Sequence, residues 1–172
     1  YVIGLRSLEH VIARTQPEGV PSGPGDVDLA LYSLRKFVRL ALSGNPTILL
    51  LLFAPPEFVV VTTPIGAELQ ALAPAFVSRR AGRAFLGYLT AQKERLLGER
   101  GQKRTKRPEL EAAHGYDTKY AMHMLRLGKQ GIELLETGRL TLPMPEPERS
   151  EIMSVRRGEW PLDKVLTEAG LL

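Results

Sequence analysis

Lys119, His123 and Arg126 stand four and then three positions apart within "GYDTKYAMHMLRLGKQG" (residues 115–131). At about 100° per residue that spacing, with Gln130 one turn further on, gathers them in one narrow band of a helix. The band borders a broad apolar side made by Tyr116, Tyr120, Ala121, Met124, Leu127, Ile132 and Leu134. Lysine and arginine at the edge of a buried face suit phosphate oxygens, arginine through a two-pronged donor set. A histidine between them can donate a hydrogen bond or carry a proton near neutral pH. The same pattern also suits charged side chains that cover the rim of a core with their stems, and spacing alone leaves both readings open.

Other groups invite the same question. Asp26 and Asp28 lie two apart in "DVDLALYSL", on one face of a strand, where carboxylates that meet others can hold Mg²⁺. Equally, Asp26 can cap the glycine-rich loop before it and Asp28 can be an ordinary edge residue. Arg79, Arg80 and Arg83 open a helix, against the sense of its dipole, which suggests either an acidic ligand or plain solvent. "QKRTKR" (102–107) is the densest basic run, and it lacks the interleaved aromatics on which single-stranded bases would stack.

These residues need elements to position them. "HVIART" and "DVDLALYSL" have strand character and pair across the loop "QPEGVPSGPG". "YVIGLRSLE" before them is a short helical or extended start. "RKFVRLALSG" is an amphipathic helix stopped by Gly44, and Pro46 starts the buried "ILLLLF" segment. "FVVVTT" reads as a second β-type run. From Pro64 the chain turns helical: "PIGAELQALAPAF" as one short helix, then a long helix from Ser78 with Ala81, Phe85, Tyr88, Leu89, Gln92 and Leu96 on one stripe. A basic connector follows, then a short helix ended by Gly115. The longest helix runs from the cap Asp117 to Gly138. "RLTLPMPEP" is extended, and two short helices close the chain. The expectation is an α+β fold: a small N-terminal β-sheet packed with a predominantly helical C-terminal part, divided as 1–63 and 64–172.

Composition narrows the function classes. The chain has 172 residues, 44% of them hydrophobic, and a net charge of +4, which suits a folded chain and permits a nucleotide or nucleic-acid partner without demanding one. With no cysteine, disulfides and thiolate metal sites are excluded, and a cytoplasmic setting is the natural expectation. "TILLLLF" falls far short of the roughly 20 residues of a membrane-spanning helix, so no membrane partner is expected. There is no G-x-x-x-x-G-K-[ST], no H-E-x-x-H and no G-x-S-x-G, which argues against P-loop NTPases, zincins and α/β-hydrolases.

Three stretches in order carry a more specific message: D-x-x-x-Y-x-L-R-K-F at Asp28–Phe37, "GNP" at Gly44–Pro46, and Y-D-x-K-x-A-x-H-x-x-R at Tyr116–Arg126. Together they resemble nucleotidyltransferases of the polymerase-β superfamily, in the branch described as RNA-repair-pathway polymerase-β-like proteins, over about residues 1–158. The resemblance implies Mg²⁺-dependent transfer of a nucleoside monophosphate from an NTP to an acceptor hydroxyl, with RNA among the acceptors. It implies Asp28 as a catalytic, metal-binding carboxylate, the third of three. It also implies Lys119, His123 and Arg126 as nucleotide- or substrate-binding groups, to which Arg79 is added for its charge at the helix start. The Gly-Ser motif and first two carboxylates of that superfamily are absent from these residues. The chain starts at Tyr1 inside an apolar stretch and reads as a fragment, inactive alone. The alternative is a non-catalytic helical module that holds a nucleotide or RNA.

Overall fold

The computed structural model describes residues 10–17, 20, 23–99 and 107–172. The expected start "YVIGLRSLE" and residues 102–106 of the basic run lie outside them. The chain is α+β and divides into two compact units, residues 1–41 and 42–172.

The first unit holds a two-stranded antiparallel sheet. β1 (His10–Arg14) pairs with β2 (Asp28–Tyr32) in the register His10↔Tyr32 to Arg14↔Asp28. The expected pairing across the proline- and glycine-rich loop is therefore present. Leu29 and Leu31 are exposed on β2. α1 (Leu34–Leu42) follows, its first turn capped where Ser33 Oγ accepts from the Lys36 amide at 3.2 Å.

The second unit is helical. Its entry is built by "GNP". Gly44 takes a left-handed φ of 76°, and a Cβ there would collide with the backbone of Ala81. Asn45 caps α2 (Pro46–Leu52), its Oδ1 accepting from the Ile48 amide at 3.2 Å, while its Nδ2 donates to the Tyr88 hydroxyl at 3.0 Å. Pro46 takes the first helical position, where its missing N–H costs nothing. Ile48, Leu49 and Leu52 are buried.

"FVVVTT" is not a strand. Phe58 ends a 3₁₀ turn begun at Pro56, and Val59–Thr63 enter no ladder. β-propensity is a preference for a pleated, partnered surface; no partner strand meets this run among the described residues, and Val60 stays 96% exposed. The next segment is also two elements rather than one: α3 (Pro64–Ala71), then a 3₁₀ turn at Ala73–Phe76. Pro74 lacks the N–H that a continuing helix needs. "RLTLPMPEP", expected as extended, enters no ladder and carries bends at 142–143 and a turn at 146–147.

α4 (Arg79–Leu96) and α6 (Thr118–Thr137) make the central pair. They run antiparallel: Gly82 faces Leu135, Gly131 faces Phe85 and Gly128 faces Leu89. Built Cβ atoms on these glycines would stand 2.8–3.1 Å from those neighbours, so the missing side chains let the two helices approach closely. Ala81, Phe85, Leu89 and Gln92 are buried from α4, and Ala121, Met124, Leu125, Leu127 and Leu134 from α6. Tyr88, expected on the same α4 stripe, lies 42% exposed and serves as the partner of Asn45. α5 (Pro108–His114) leads into α6, and α7 (Glu148–Arg156) and α8 (Leu162–Leu171) pack on it. Lys129 of α6 ties these two down through Glu151 at 2.8 Å and Glu168 at 3.9 Å. No helix among the described residues is long and apolar enough to cross a membrane.

Candidate functional site

α6 owes its position to the residues around its start. Asp117 Oδ1 accepts from the Lys119 and Tyr120 amides at 2.9 and 3.2 Å, satisfying two otherwise orphaned donors. Its Oδ2 accepts from Arg107 Nη1 at 2.8 Å, and the carboxylate is only 3% exposed. The Arg107 guanidinium also lies 5.2 Å from the centre of the Tyr120 ring. Thr118 Oγ1 accepts from Arg156 Nη1 at 2.9 Å, and Tyr116 donates its hydroxyl to the Trp160 carbonyl at 2.6 Å. Burial raises the pKa of that tyrosine. In Y-D-x-K-x-A-x-H-x-x-R, then, Tyr116, Asp117 and the fully buried Ala121 anchor the helix. Lys119, His123 and Arg126 remain as the groups available for chemistry.

That band slopes into the protein. Lys119 is exposed, His123 and Arg126 are half-buried, and Gln130 is buried. Arg126 Nη2 lies 2.8 Å from His123 Nδ1. An arginine has only donors, so Nδ1 must accept, and the neutral ring carries its proton on Nε2. His123 titrates at about 4, lowered first by burial and then by the charges of Arg126, Arg95 and Lys119. It is therefore neutral at pH 7: of its two expected roles, the structure favours the hydrogen-bond donor over the proton carrier. Burial also lowers the pKa of Arg126, whose Nε is enclosed without a hydrogen-bond partner. Among the described residues no carboxylate pairs with Lys119, Arg126 or Arg95. The result is a local excess of positive charge, half withdrawn from water, with one N–H still unsatisfied. Such a setting favours an anion with several oxygen acceptors.

Arg95 was not foreseen in the sequence. The antiparallel packing of α4 on α6 carries the end of α4 to the beginning of α6, which explains why its charge reaches His123. The legible signal is the complementary placing of glycines on both helices: Gly82 of α4 meets Leu135 of α6, and Gly128 and Gly131 of α6 meet Leu89 and Phe85 of α4. The same geometry sets Arg79 apart. The sixteen positions from Arg79 to Arg95 correspond to about 24 Å of helix, so Arg79 stands at the far end of α4 from the band.

Asp28 belongs to the first unit. It lies across from Arg14, whose Nε is 3.3 Å away, and accepts from Gln16 Nε2 at 3.1 Å. Asp26 accepts from the Gly23 amide at 2.8 Å and from Thr15 Oγ1 at 3.0 Å, capping the loop. No three acidic, histidine or cysteine side chains gather as a metal-binding group among the described residues. A divalent ion of the Mg²⁺ type needs a set of oxygen ligands. One carboxylate engaged by an arginine and a glutamine does not supply it, so the described residues do not by themselves fit such a metal.

No curated protein and no solved structure matches the chain. A family model does, over residues 1–162, which span both units, the "GNP" entry and the whole of α6. By that match the chain belongs to the RNA repair pathway DNA polymerase beta family.

Proposed function

We propose that this chain is the nucleotide-holding part of a nucleotidyltransferase that moves a nucleoside monophosphate from an NTP to an acceptor hydroxyl, with RNA as the acceptor class and the cytoplasm as the setting. The observation that carries the reading is the cationic band of α6: Arg126, half-buried, bonded to a neutral His123 and, among the described residues, without an acidic partner. A triphosphate offers oxygens to the free donors of Arg126, to His123 Nε2–H and to the Lys119 ammonium. The charges of Arg126 and Lys119 offset what builds up on the departing diphosphate as the phosphoryl bond breaks. His123 then acts as a fixed donor, because its low pKa removes it from proton transfer near neutrality.

Polymerase-β-type enzymes use divalent metal, and Mg²⁺ is the ion we assign to that role, with Asp28 as this chain's contribution. The described carboxylates do not complete a metal site, so the 172 residues alone are expected to bind NTP without transferring it. A second reading is a nucleotide- or RNA-binding helical module with no chemistry at all; the lack of a three-carboxylate group among the described residues favours it. Incubation of the purified chain with labelled NTP, Mg²⁺ and RNA tests the first part: no label should enter RNA, and incorporation would show that the catalytic set is complete. Adding, as a separate polypeptide, a Gly-Ser and D-x-D strand pair of the polymerase-β type separates the two readings. Restored labelling supports the transferase, and its absence with NTP binding retained supports the module.

A further inference from the structure

A concavity lies along the α4–α6 pair. It has a volume of about 390 Å³, and its apolar wall includes Phe85, Leu86, Leu127 and Leu135. This is the small end of the range for ligand cavities, roughly 300–1,000 Å³. Gly82, Gly128 and Gly131 also line it, so backbone replaces side chain along part of the wall. Leu86 and Leu135 are more than half exposed at its lips, 59% and 54%. Exposed leucines on both sides of one cleft mark a surface that gains from being covered.

Arg79 and Arg83 also line this cleft, one helical turn apart, so its cationic groups come from one end of α4. Among the described residues neither arginine has an ion pair or a hydrogen bond. Two cations in the first two turns of a helix oppose its dipole, and no described carboxylate of the second unit pairs with them. The phosphate-directed band of Lys119, His123 and Arg126 does not share this cleft; none of its residues lines it.

We propose that this cleft is a binding site for a slender amphipathic anion: an apolar body lying between α4 and α6, with a single carboxylate or phosphate head held by Arg79 and Arg83. The volume admits one chain or small ring rather than a cofactor, and the position of the arginines sets its direction, head toward the start of α4. The site is independent of the nucleotide reading, because its cations and its apolar wall are different residues.

Calorimetric titration of the chain with decanoate, decyl phosphate and decanol, each below its aggregation concentration, tests the assignment. One equivalent of either anion should bind at least tenfold more tightly than the alcohol. In Arg79→Gln/Arg83→Gln, two exposed substitutions, that gap should close while decanol binding is unchanged. In Leu135→Asp all three should bind at least tenfold more weakly, with an unchanged melting curve as the control for folding. A preference for decanoate alone or for decyl phosphate alone identifies the head group and still supports the site. Equal affinity for anion and alcohol in the wild-type chain, or no saturable binding of any of the three, overturns it without reference to the variants.

Discussion

Among single residues, the couple between Arg126 and His123 matters most. Removing the guanidinium in Arg126→Ala should weaken NTP binding at least tenfold, about the 1.5–3 kcal/mol expected of hydrogen bonds to a charged group. Arg126→Lys keeps the charge but loses the two-pronged geometry and should recover only part of it. Isothermal titration of the three proteins gives the order directly. His123 makes a separate prediction about pH. Its folded pKa, about 4, lies below the ordinary 6.5, so the unfolded chain binds the proton more readily. The contribution of His123 is fully present above pH 6.5 and is lost as pH falls from there toward 4. The slope is at most about 1.4 kcal/mol per pH unit, and solvent screening at a half-buried site reduces it. Denaturant unfolding between pH 7 and 4.5 should show a shallower fall in His123→Gln than in the wild-type chain; parallel curves would mean that His123 is not held neutral by its neighbours.

Elements tell which motif residues do structural work. Asp117 caps α6 and neutralises Arg107 while almost wholly buried. Asp117→Ala should cost about 1–2 kcal/mol from the cap alone, plus the penalty of leaving Arg107 unpaired in its place. A thermal melt would register this as a clear drop. Gly44→Ala forces a left-handed φ on an alanine and drives its methyl group into the backbone of Ala81. Since the clash is with backbone and cannot be relieved by rotating a side chain, the cost should be at least about 2 kcal/mol. Gly115→Ala provides the comparison: it has a similar φ of 79° but no atom within 4 Å of a built Cβ. The difference between the two melts isolates the packing contribution; equal losses would show that backbone conformation alone accounts for Gly44. Leu127, at 2% exposure, should cost roughly 2–5 kcal/mol on truncation to alanine.

Much of this level was legible in the sequence, because caps and stops depend on local chemistry. Asp117, Gly138, Gly115, Gly44 and Pro46 all stand where their backbone roles require, while the cap by Asn45 comes from the structure. The failures share a cause. "FVVVTT" has the composition of a strand, but a strand exists only against a neighbour, and composition carries no information about the neighbour. At the site, the helical spacing of Lys119, His123 and Arg126 was readable, whereas the contribution of Arg95 was not. That contribution depends on which way α4 lies against α6. The neutrality of His123 was unreadable for the same reason, since it arises from burial and from charges on two helices.

For the whole molecule, the family match spans both compact units, while the described residues of the first unit offer two carboxylates, Asp26, which caps the loop, and Asp28, engaged by Arg14 and Gln16. On the proposed reading, recognition and catalysis separate in this chain. The second unit retains a band suited to triphosphate; the carboxylates that would complete the reaction are not assembled among the described residues. The "GNP" and Tyr116–Arg126 motifs are consistent with that separation, because more than half of their residues serve caps, packing or helix entry rather than chemistry.

The central claim is that the band of Lys119, His123 and Arg126 holds a triphosphate. The most direct measurement is a calorimetric NTP titration of the wild-type chain beside Lys119→Ala/Arg126→Ala, with melting curves for both. Saturable binding by the wild-type chain, at least a tenfold loss in the double variant and little change in melting temperature are the predicted results. Undiminished binding in the double variant, or no binding by the folded wild-type chain, would contradict the claim and leave the charged band as a covering for the edge of the core.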